Sequence, residues 1–168
     1  ILHRETNSYI YANSLELPST THISIVDKYG NALSMTSTIE SSFGSRLMTN
    51  GGFLLNNELT DFSFQKEKKG KRVANNIEPN KRPRSSMAPT IIFKNNKPLF
   101  IIGSPGGSNI IGYVVNSIIG LIDWNMNVQQ AASVPHGINK FGTFYLEKNS
   151  KISLLKNQLE KKGYKVEL

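Results

Sequence analysis

Hydroxyl side chains cluster where a polar segment of the chain meets a predicted strand. Ser19, Thr20 and Thr21 directly precede the β-branched run that starts at His22. A threonine hydroxyl is a weak nucleophile unless a base lies within hydrogen-bond reach, and a threonine at a chain terminus can use its own α-amine as that base. Thr20 meets this condition only if the peptide bond after Ser19 is cut. Otherwise, adjacent threonines at a strand entry are an ordinary structural feature.

A glycine-rich segment, residues 103–108 with the sequence Gly-Ser-Pro-Gly-Gly-Ser, separates a predicted strand from a predicted helix. Glycines let a ligand approach the backbone, and free amides at the start of a helix bind negative charge. The segment can therefore hold a phosphate or the oxyanion of an acyl-transfer intermediate. It lacks the lysine of a P-loop and does not match the dinucleotide fingerprint. A structural tight turn stays open as an alternative.

Carboxylates and further hydroxyls form a third group along the chain. Paired carboxylates suit the capture of an ammonium group, whereas hydroxyls and amides suit the capture of a carboxylate. Taken singly, each of these residues is also typical of a solvated loop. The group consists of Thr38, Glu40, Glu58, Asp61, Ser85 and Ser86.

Composition limits the classes of protein to which the chain can belong. Its 168 residues suffice for one domain with a sizeable core, and 38% hydrophobic with 19% charged residues excludes a disordered or collagen-like chain. The absence of Cys excludes disulfides, thiolate nucleophiles and Cys-ligated metals, and the three histidines have no metal-ligand spacing. We expect no metal or other cofactor. No apolar run approaches the roughly 20 residues of a membrane-spanning helix.

Basic residues are concentrated in residues 66–84, where eight lysines and arginines stand against two acidic residues in a chain of net charge +8. A basic cluster can bind nucleic acid, but this window contains no aromatic side chain on which a base could stack. The pattern favours a solvated loop, so we expect no nucleic-acid partner. A non-catalytic nucleic-acid-binding protein remains the alternative from outside enzymology.

Hydrophobic periodicity predicts a layered α+β domain with an antiparallel sheet. The segment 110–121 is too apolar all round for a surface helix, and Asn127 can cap a second helix over 128–133. Further elements are hairpins over 22–39 and 90–102, a strand over 143–146, a helix over 152–162 and a strand from 164 onward.

Four motifs give the chain a strong resemblance to the small-subunit half of the gamma-glutamyltranspeptidases, members of the N-terminal nucleophile (Ntn) hydrolase superfamily. They are TTHISIVDKYGNALSMTSTIESSFGS from Thr20, GGFLLNNELTDFS from Gly51, PNKRPRSSMAPTIIF from Pro79 and GSPGGS from Gly103. The resemblance covers residues 20–168. It implies a partial αββα sandwich that lacks its terminal strands. It also implies that residues 1–19 are the tail of the large-subunit segment and residues 20–168 a truncated small-subunit segment.

The same resemblance implies a role for each site residue. Thr20 would be the nucleophile, exposed when the precursor cuts itself after Ser19, and its new α-amine would be the general base. Thr38 would hydrogen-bond Thr20. The remaining assignments are oxyanion amides from Gly106 and Gly107, ammonium binding by Glu40, Glu58 and Asp61, and carboxylate binding by Ser85 and Ser86.

The implied reaction takes the γ-glutamyl group of glutathione, or of another γ-glutamyl compound, and transfers it to water or to an amino acid or peptide acceptor. The implied protein partner is the large subunit of the same precursor, and the implied location is periplasmic or secreted. Two alternatives stay open within the family: an inactive fragment of such an enzyme, and a related acylase that acts on glutaryl side chains of cephalosporins.

Overall fold

The structure of the chain, a computed structural model, describes residues 9–10 and 19–168. The expected large-subunit tail, residues 1–19, falls almost wholly outside the described residues, so the division of the chain at residue 20 stays a prediction. The strands are β1 (Tyr9–Ile10), β2 (Thr21–Val26), β3 (Ala32–Ser37), β4 (Glu67–Lys68), β5 (Lys71–Val73), β6 (Thr90–Lys94), β7 (Lys97–Ile102), β8 (Gly137–Lys140), β9 (Thr143–Leu146) and β10 (Lys165–Glu167). The α-helices are α1 (Ile110–Ile122), α2 (Val128–Ala132) and α3 (Lys156–Lys161). Short 3₁₀ helices span Glu58–Asp61, Gly107–Asn109 and Lys151–Leu155.

Strands β2 and β3 form an antiparallel hairpin where the sequence predicts one. Its turn is held by Asp27, whose Oδ1 accepts the backbone N–H of Asn31 at 2.9 Å. The second strand, predicted over residues 32–39, ends earlier, at Ser37. It ends there because the chain bends away at Glu40, which adopts the left-handed backbone conformation with φ of 71°.

Strands β6 and β7 form the second predicted hairpin, with a turn at Asn95–Asn96 whose φ values are 52° and 61°. These values match the turn type that agrees with the twist of paired strands. The two hairpins are separate two-stranded sheets, and polar groups connect them. The hydroxyl of Ser24 donates to the carbonyl of Ile101 at 3.3 Å, and that of Ser34 donates to the carbonyl of Ile102 at 3.2 Å.

The apolar face of the first hairpin points away from the second hairpin. Ile23 lies opposite Met35 in the register and Ile25 opposite Leu33, and all four side chains are exposed, with 41–49% of their surface accessible. The usual arrangement of a half-buried sheet, apolar inside and polar outside, is therefore reversed within the described residues.

The other strands do not join one antiparallel sheet, so that expectation is wrong for them. They form two three-stranded sheets, in the orders β1-β5-β4 and β10-β9-β8, and each contains one parallel pair. A parallel pair needs a crossover of about a dozen residues, and the helical segments Lys151–Leu155 and Lys156–Lys161 supply it between β9 and β10. The single helix predicted over 152–162 is thus a 3₁₀ segment followed by α3.

The basic segment contains more structure than the solvated loop that its composition predicts. Strands β4 and β5 form a small hairpin across Lys69 and Gly70, whose φ values are 52° and 70°. Val73, the last residue of β5, and Asn76, three residues further on, are almost completely buried. The sequence did not predict this hairpin, because the only turn signal is the Lys69-Gly70 pair and it lies among many charged residues.

Helix α1 was predicted to be buried on all sides, and this is wrong for the described residues. Its inner face packs on α2, where Gly120 lies against Ala131. Its outer face leaves Ile111, Val115 and Ile122 exposed, at 54%, 44% and 47%. The sequence shows that the helix is apolar on all sides, but no described residue covers its outer face. No described helix is long and apolar enough to cross a membrane.

Helix α2 begins with the predicted cap. Asn127 Oδ1 accepts the backbone N–H of Gln130 at 2.9 Å, and the Gln130 side chain accepts the N–H of Asn127 at 2.9 Å. Replacing Asn127 with Ala leaves the N–H of Gln130 without this acceptor, so we expect the free energy of unfolding to fall by about 1 kcal/mol. Thermal or urea unfolding measures this change. Asn127→Ser, which retains a capping oxygen, should lose less, and equal losses would contradict the capping role.

Candidate active site

One pocket gathers the predicted site residues from five separate segments of the chain. Its empty volume is about 420 Å³, part of which is open to solvent. Every predicted site residue lines this pocket except Gly106, which is the neighbour of the lining residue Gly107. The lining residues are Thr20, Thr38, Glu40, Glu58, Asp61, Arg84, Ser85, Ser86, Met87, Gly107 and Ile110. We call this the site pocket.

The first hairpin brings Thr20 and Thr38 into the site pocket. Thr21 pairs with Ser37 in the last pair of the ladder, at the open end of the hairpin, so Thr20 and Thr38 directly flank that pair. The Thr38 hydroxyl accepts the backbone N–H of Glu40 at 2.9 Å. The expected hydrogen bond from Thr38 to Thr20 stays a prediction.

Glu40 is held in its left-handed conformation by several polar contacts. The Ser19 hydroxyl donates to the Glu40 carbonyl. One carboxylate oxygen, Oε2, accepts the Ser41 hydroxyl at 2.6 Å and the side-chain amide of Asn57. A non-glycine residue with positive φ persists only when its surroundings fix it. Asn57 therefore organises the acidic side of the site pocket, a role that its place in a polar loop did not reveal.

Glu58 and Asp61 stand at the two ends of one 3₁₀ turn and are coupled electrostatically. Burial raises the pKa of Glu58 above its ordinary value of 4.5. The charge of Asp61, a hydrogen bond to Asp61 and the charge of Glu40 raise this pKa further. Carboxylates that repel one another in this way are stabilised by a bound cation. The acidic side of the pocket is thus suited to an ammonium group.

The raised pKa of Glu58 sets an expected pH dependence. Because the carboxylate form binds an ammonium group, the KM for an ammonium-bearing substrate should rise as the pH falls through this raised pKa. Glu58→Gln should raise that KM by about 10- to 100-fold, the range for a hydrogen bond to a charged group. It should also flatten the acid limb of kcat/KM. Steady-state kinetics between pH 4 and 8 measure both, with Glu160→Gln on the exposed face of α3 as the control.

The stability of the unliganded protein should depend on pH in the opposite sense to substrate binding. This difference separates a binding role of Glu58 from a folding role. Since folding raises the pKa of Glu58, the unliganded protein binds more protons than the unfolded chain above pH 4.5. This contribution to stability is therefore lost as the pH rises through the folded-state pKa. Glu58→Gln should melt at the same or a higher temperature at pH 7, and a lower melting temperature with unchanged KM would contradict the assignment.

Residues 84–87 form another wall of the pocket, in an irregular segment before β6. The Ser85 hydroxyl accepts the backbone N–H of Met87 at 3.2 Å, and Ser86 is half-buried. Arg84, also half-buried, adds positive charge to this wall. Sequence reasoning counted Arg84 only as part of the basic segment and did not identify it as a site residue.

The glycine-rich segment closes the pocket at the start of the helical region. Gly106 and Gly107 have φ of 135° and 54°, conformations that glycine adopts at little cost. Their amides precede the 3₁₀ turn Gly107–Asn109, which runs directly into α1. Unpaired amides at such an end favour negative charge. This is the chemistry expected of an oxyanion site.

His22 lies between the first hairpin and the glycine-rich segment. Its Nδ1 lies 2.7 Å from the Thr36 hydroxyl and its Nε2 lies 3.0 Å from the Ser24 hydroxyl. A Cβ atom added to Gly103 would clash with the His22 ring, so the ring packs directly on the first residue of the glycine-rich segment. Burial lowers the pKa of His22. The described residues contain no group of three or more His, Asp or Glu that could hold a metal ion.

Comparisons with known proteins show the family to which the chain is related. The family profile described as gamma-glutamyltranspeptidase matches residues 3–168. The glutathione hydrolase proenzyme of Bacillus subtilis strain 168 is 45% identical over 117 residues, which are 69% of this chain and 19% of that protein. The glutathione hydrolase proenzyme of Escherichia coli K12 is 40% identical over 161 residues, which are 91% of this chain and 28% of that protein. The chain thus spans about a fifth to somewhat over a quarter of these relatives.

A solved structure supports the same relationship. The T380A mutant of Helicobacter pylori gamma-glutamyltranspeptidase superimposes with a TM-score of 0.76 at 44% identity, covering 88% of this chain and 83% of that chain. The α+β fold is therefore that of the Ntn hydrolases, as the resemblance implies. The chain belongs to the gamma-glutamyltranspeptidase family.

Proposed function

We propose that this chain carries the catalytic segment of an enzyme that transfers γ-glutamyl groups from glutathione or related γ-glutamyl compounds. The observation that carries the proposal is the site pocket itself. It combines the Thr20 hydroxyl, a glycine amide, three carboxylates and two serines within one small volume.

The chemistry begins with the release of Thr20 as a chain terminus. In the precursor, the Thr20 hydroxyl attacks the carbonyl of Ser19, and hydrolysis of the resulting ester frees the α-amine of Thr20. That amine then accepts the proton of the hydroxyl as it attacks the γ-carbonyl of the substrate. The amides of Gly106 and Gly107 stabilise the oxyanion. The leaving amine takes a proton, and water or an acceptor amine resolves the γ-glutamyl ester.

Substrate selection follows from the charges in the pocket. Glu40, Glu58 and Asp61 bind the α-ammonium of the glutamyl group, and Ser85 and Ser86 hold its α-carboxylate. A glutaryl group has no amine to satisfy these carboxylates, which favours the transpeptidase over a glutaryl acylase. We therefore expect hydrolysis of a γ-glutamyl anilide and little hydrolysis of a glutaryl anilide. Equal rates on the two anilides would favour the acylase.

The proposal includes a partner segment, the large subunit of the same precursor. The four exposed side chains of the first hairpin and the outer face of α1 form apolar surface that such a segment would cover. We further propose that the enzyme acts in the periplasm or outside the cell, which cell fractionation would test.

Intact-mass measurement of the protein as its gene encodes it tests the first chemical step. A new N-terminus at Thr20 together with release of the anilide supports the proposal. A chain that stays intact and inactive would overturn it and favour an inactive fragment of such an enzyme. If the protein instead binds nucleic acid with an affinity that falls steeply as salt is added, and releases no anilide, a nucleic-acid-binding protein would be favoured.

A further inference from the structure

The backbone of the glycine pair needs support from outside the glycine-rich segment. Glycine has more backbone freedom than any other residue, so Gly106 and Gly107 do not fix the directions of their own amides. The peptide group that contains the Gly107 amide is held through the Gly106 carbonyl, which accepts the backbone N–H of Asn109 at 3.1 Å. The peptide group that contains the Gly106 amide is held through the Pro105 carbonyl by the Ser104 hydroxyl, an exposed contact for which water competes. The Gly106 amide is thus the less firmly held of the two.

The Tyr113 ring packs on Gly106 from the first turn of α1. A Cβ atom added to Gly106 would lie 2.6 Å from the Tyr113 ring carbon Cε2 and 3.0 Å from Cδ2, so the ring fills the space beside the glycine Cα. Tyr113 belongs to a regular helix, which fixes its backbone relative to the 3₁₀ turn that follows Gly106. The ring therefore limits how far Gly106 can move toward α1.

The His136 ring is in direct contact with the Tyr113 ring. The ring centroids are 4.2 Å apart, and the ring planes are inclined at 41° to each other. Tyr113 is therefore in contact both with Gly106 and with His136. The three residues form a continuous series of contacts that begins outside the site pocket, and we call it the ring series.

The backbone of His136 is held by contacts with two other elements. Its N–H donates to Glu147 Oε2 at 2.9 Å, and its carbonyl accepts the backbone N–H of Glu147 at 2.8 Å. The carbonyl of the next residue, Gly137, accepts the side-chain amide of Asn116 in α1 at 3.3 Å. His136 is thus fixed relative both to the end of β9 and to α1, so its ring has a firm base.

The imidazole Nδ1 shows which property of His136 matters. This atom is buried and has no hydrogen-bond partner among the described residues. A buried polar atom without a partner lowers stability, so Nδ1 does not help to hold the ring in place. The contact with Tyr113 is a packing contact, and an aromatic hydrocarbon ring of similar size would make it equally well.

A cavity beside the two rings gives Tyr113 space into which it can move. Its empty volume is about 1110 Å³ including the part open to solvent, and it is lined by Asn109, Tyr113 and His136 among others. None of the exposed outer residues of α1 lines it, so it is distinct from the apolar surface that the partner segment would cover. Truncation of a side chain leaves space that its neighbours fill in part. Without the His136 ring, the Tyr113 ring would be free to turn away from Gly106.

We propose that Tyr113 and His136 are positioning residues of the oxyanion site: the His136 ring holds the Tyr113 ring against Gly106, and this contact keeps the Gly106 amide directed at the oxyanion. The proposal rests on the proposed function and adds two residues, neither of which lines the site pocket. Because the two rings act through the amide and not on the substrate, their loss should weaken transition-state stabilisation and spare the binding of the donor.

Steady-state kinetics on a γ-glutamyl anilide test the ring series. His136→Ala should lower kcat by about 10- to 100-fold, because the Gly106 amide is displaced and not removed, and it should change the KM for the anilide much less. His136→Phe retains a ring and should keep most of the kcat. A wild-type kcat in His136→Ala, an equal loss in His136→Phe, or a rise in KM as large as the fall in kcat would overturn the proposal.

A double variant shows whether the two rings act as one unit. Tyr113→Ala should lower kcat about as much as His136→Ala, and the variant with both substitutions should lose little more than either alone, because both interrupt one series of contacts. Losses that multiply would overturn the series.

Tyr164→Ala is the matched control for the loss of an aromatic contact. Tyr164 packs on Phe144 with ring centroids 4.9 Å apart, and neither ring lines the site pocket. Tyr164→Ala should lower the melting temperature and keep the kcat. A fall in kcat as large as that of His136→Ala would show a general effect of lost packing and would overturn the proposal.

A measurement without turnover keeps this test separate from that of the proposed function. In protein labelled with isotope-enriched glycine, the NMR resonance of the Gly106 amide should shift in His136→Ala and return toward its wild-type position in His136→Phe. If the wild type releases no anilide, the proposed function fails, and this pattern of shifts would still support the ring series. Anilide release by the wild type with a Gly106 resonance that His136→Ala leaves unchanged would overturn the positioning role alone.

Discussion

Replacing Thr20 with Ala is expected to abolish γ-glutamyl transfer, with kcat/KM falling by roughly four orders of magnitude or more, and to leave the Ser19–Thr20 peptide bond intact. Both effects follow from one hydroxyl, because in the proposed mechanism the same oxygen attacks the Ser19 carbonyl in the precursor and the γ-carbonyl of the substrate. Thr38, the other threonine of the site pocket, already accepts a backbone N–H through its hydroxyl. Intact mass and anilide release measure the two outcomes.

Two matched variants show whether the effect belongs to this hydroxyl. Thr20→Ser retains a nucleophile and should still cleave itself and turn over. Thr21→Ala removes the neighbouring hydroxyl from the first residue of β2, which does not line the site pocket, and should keep both activities. A Thr20→Ala protein that still releases the anilide, or a Thr21→Ala protein that does not, would contradict the assignment of the nucleophile.

The juxtaposition of Thr20 and Thr38 could be predicted from the sequence because it follows from local pattern. Alternating β-branched residues and an Asp-to-Asn turn predict the hairpin, and the hairpin register then brings its two flanking threonines together. The glycine-rich segment was predictable for a similar reason, since glycine spacing between a strand and a helix specifies a turn with free amides.

The contacts that shape the acidic side of the site could not be predicted in this way. Asn57 reaches Glu40 across 17 positions of the chain, and Arg84 lines the pocket from an irregular segment with no periodicity. The left-handed conformation of Glu40 is equally invisible in a sequence, because glutamate has no special preference for it. Long-range side-chain contacts of this kind depend on tertiary packing and not on a local pattern.

Burial was the least predictable property, and its errors share one cause. The first hairpin turns Ile23 and Ile25 outward and packs its polar face against the second hairpin, while α1 leaves Ile111 and Val115 exposed. Hydrophobic patterning indicates which faces of an element need to be covered, but not what covers them. These two elements also lead into the site, since β2 follows Thr20 and α1 follows the glycine-rich segment. A segment that covers both apolar faces would therefore pack on the elements that position the nucleophile and the oxyanion amides.

Gly106→Ala is expected to lower kcat by about 100- to 1000-fold, the effect of losing one oxyanion donor, while changing the KM for the γ-glutamyl donor much less. A residue with a side chain is strained at the φ of 135° that Gly106 adopts. The added Cβ would also lie 2.6 Å from the Tyr113 ring, which His136 supports from 4.2 Å between ring centroids. The loop must therefore shift and move its amides. In the proposed function, carboxylates and serines elsewhere in the pocket bind the glutamyl head group, so its affinity should persist.

Gly30→Ala provides the matched control for backbone strain. Gly30 also has a positive φ, 85°, but an added Cβ would meet no atom within 4 Å, and the residue lies in the exposed hairpin turn away from the site pocket. This variant should lose some stability and keep its kcat, whereas Gly106→Ala should lose kcat even where circular dichroism shows a folded protein. A folded Gly106→Ala protein with wild-type kcat would show that the oxyanion is stabilised elsewhere. A rise in donor KM as large as the fall in kcat would instead place Gly106 in ground-state binding.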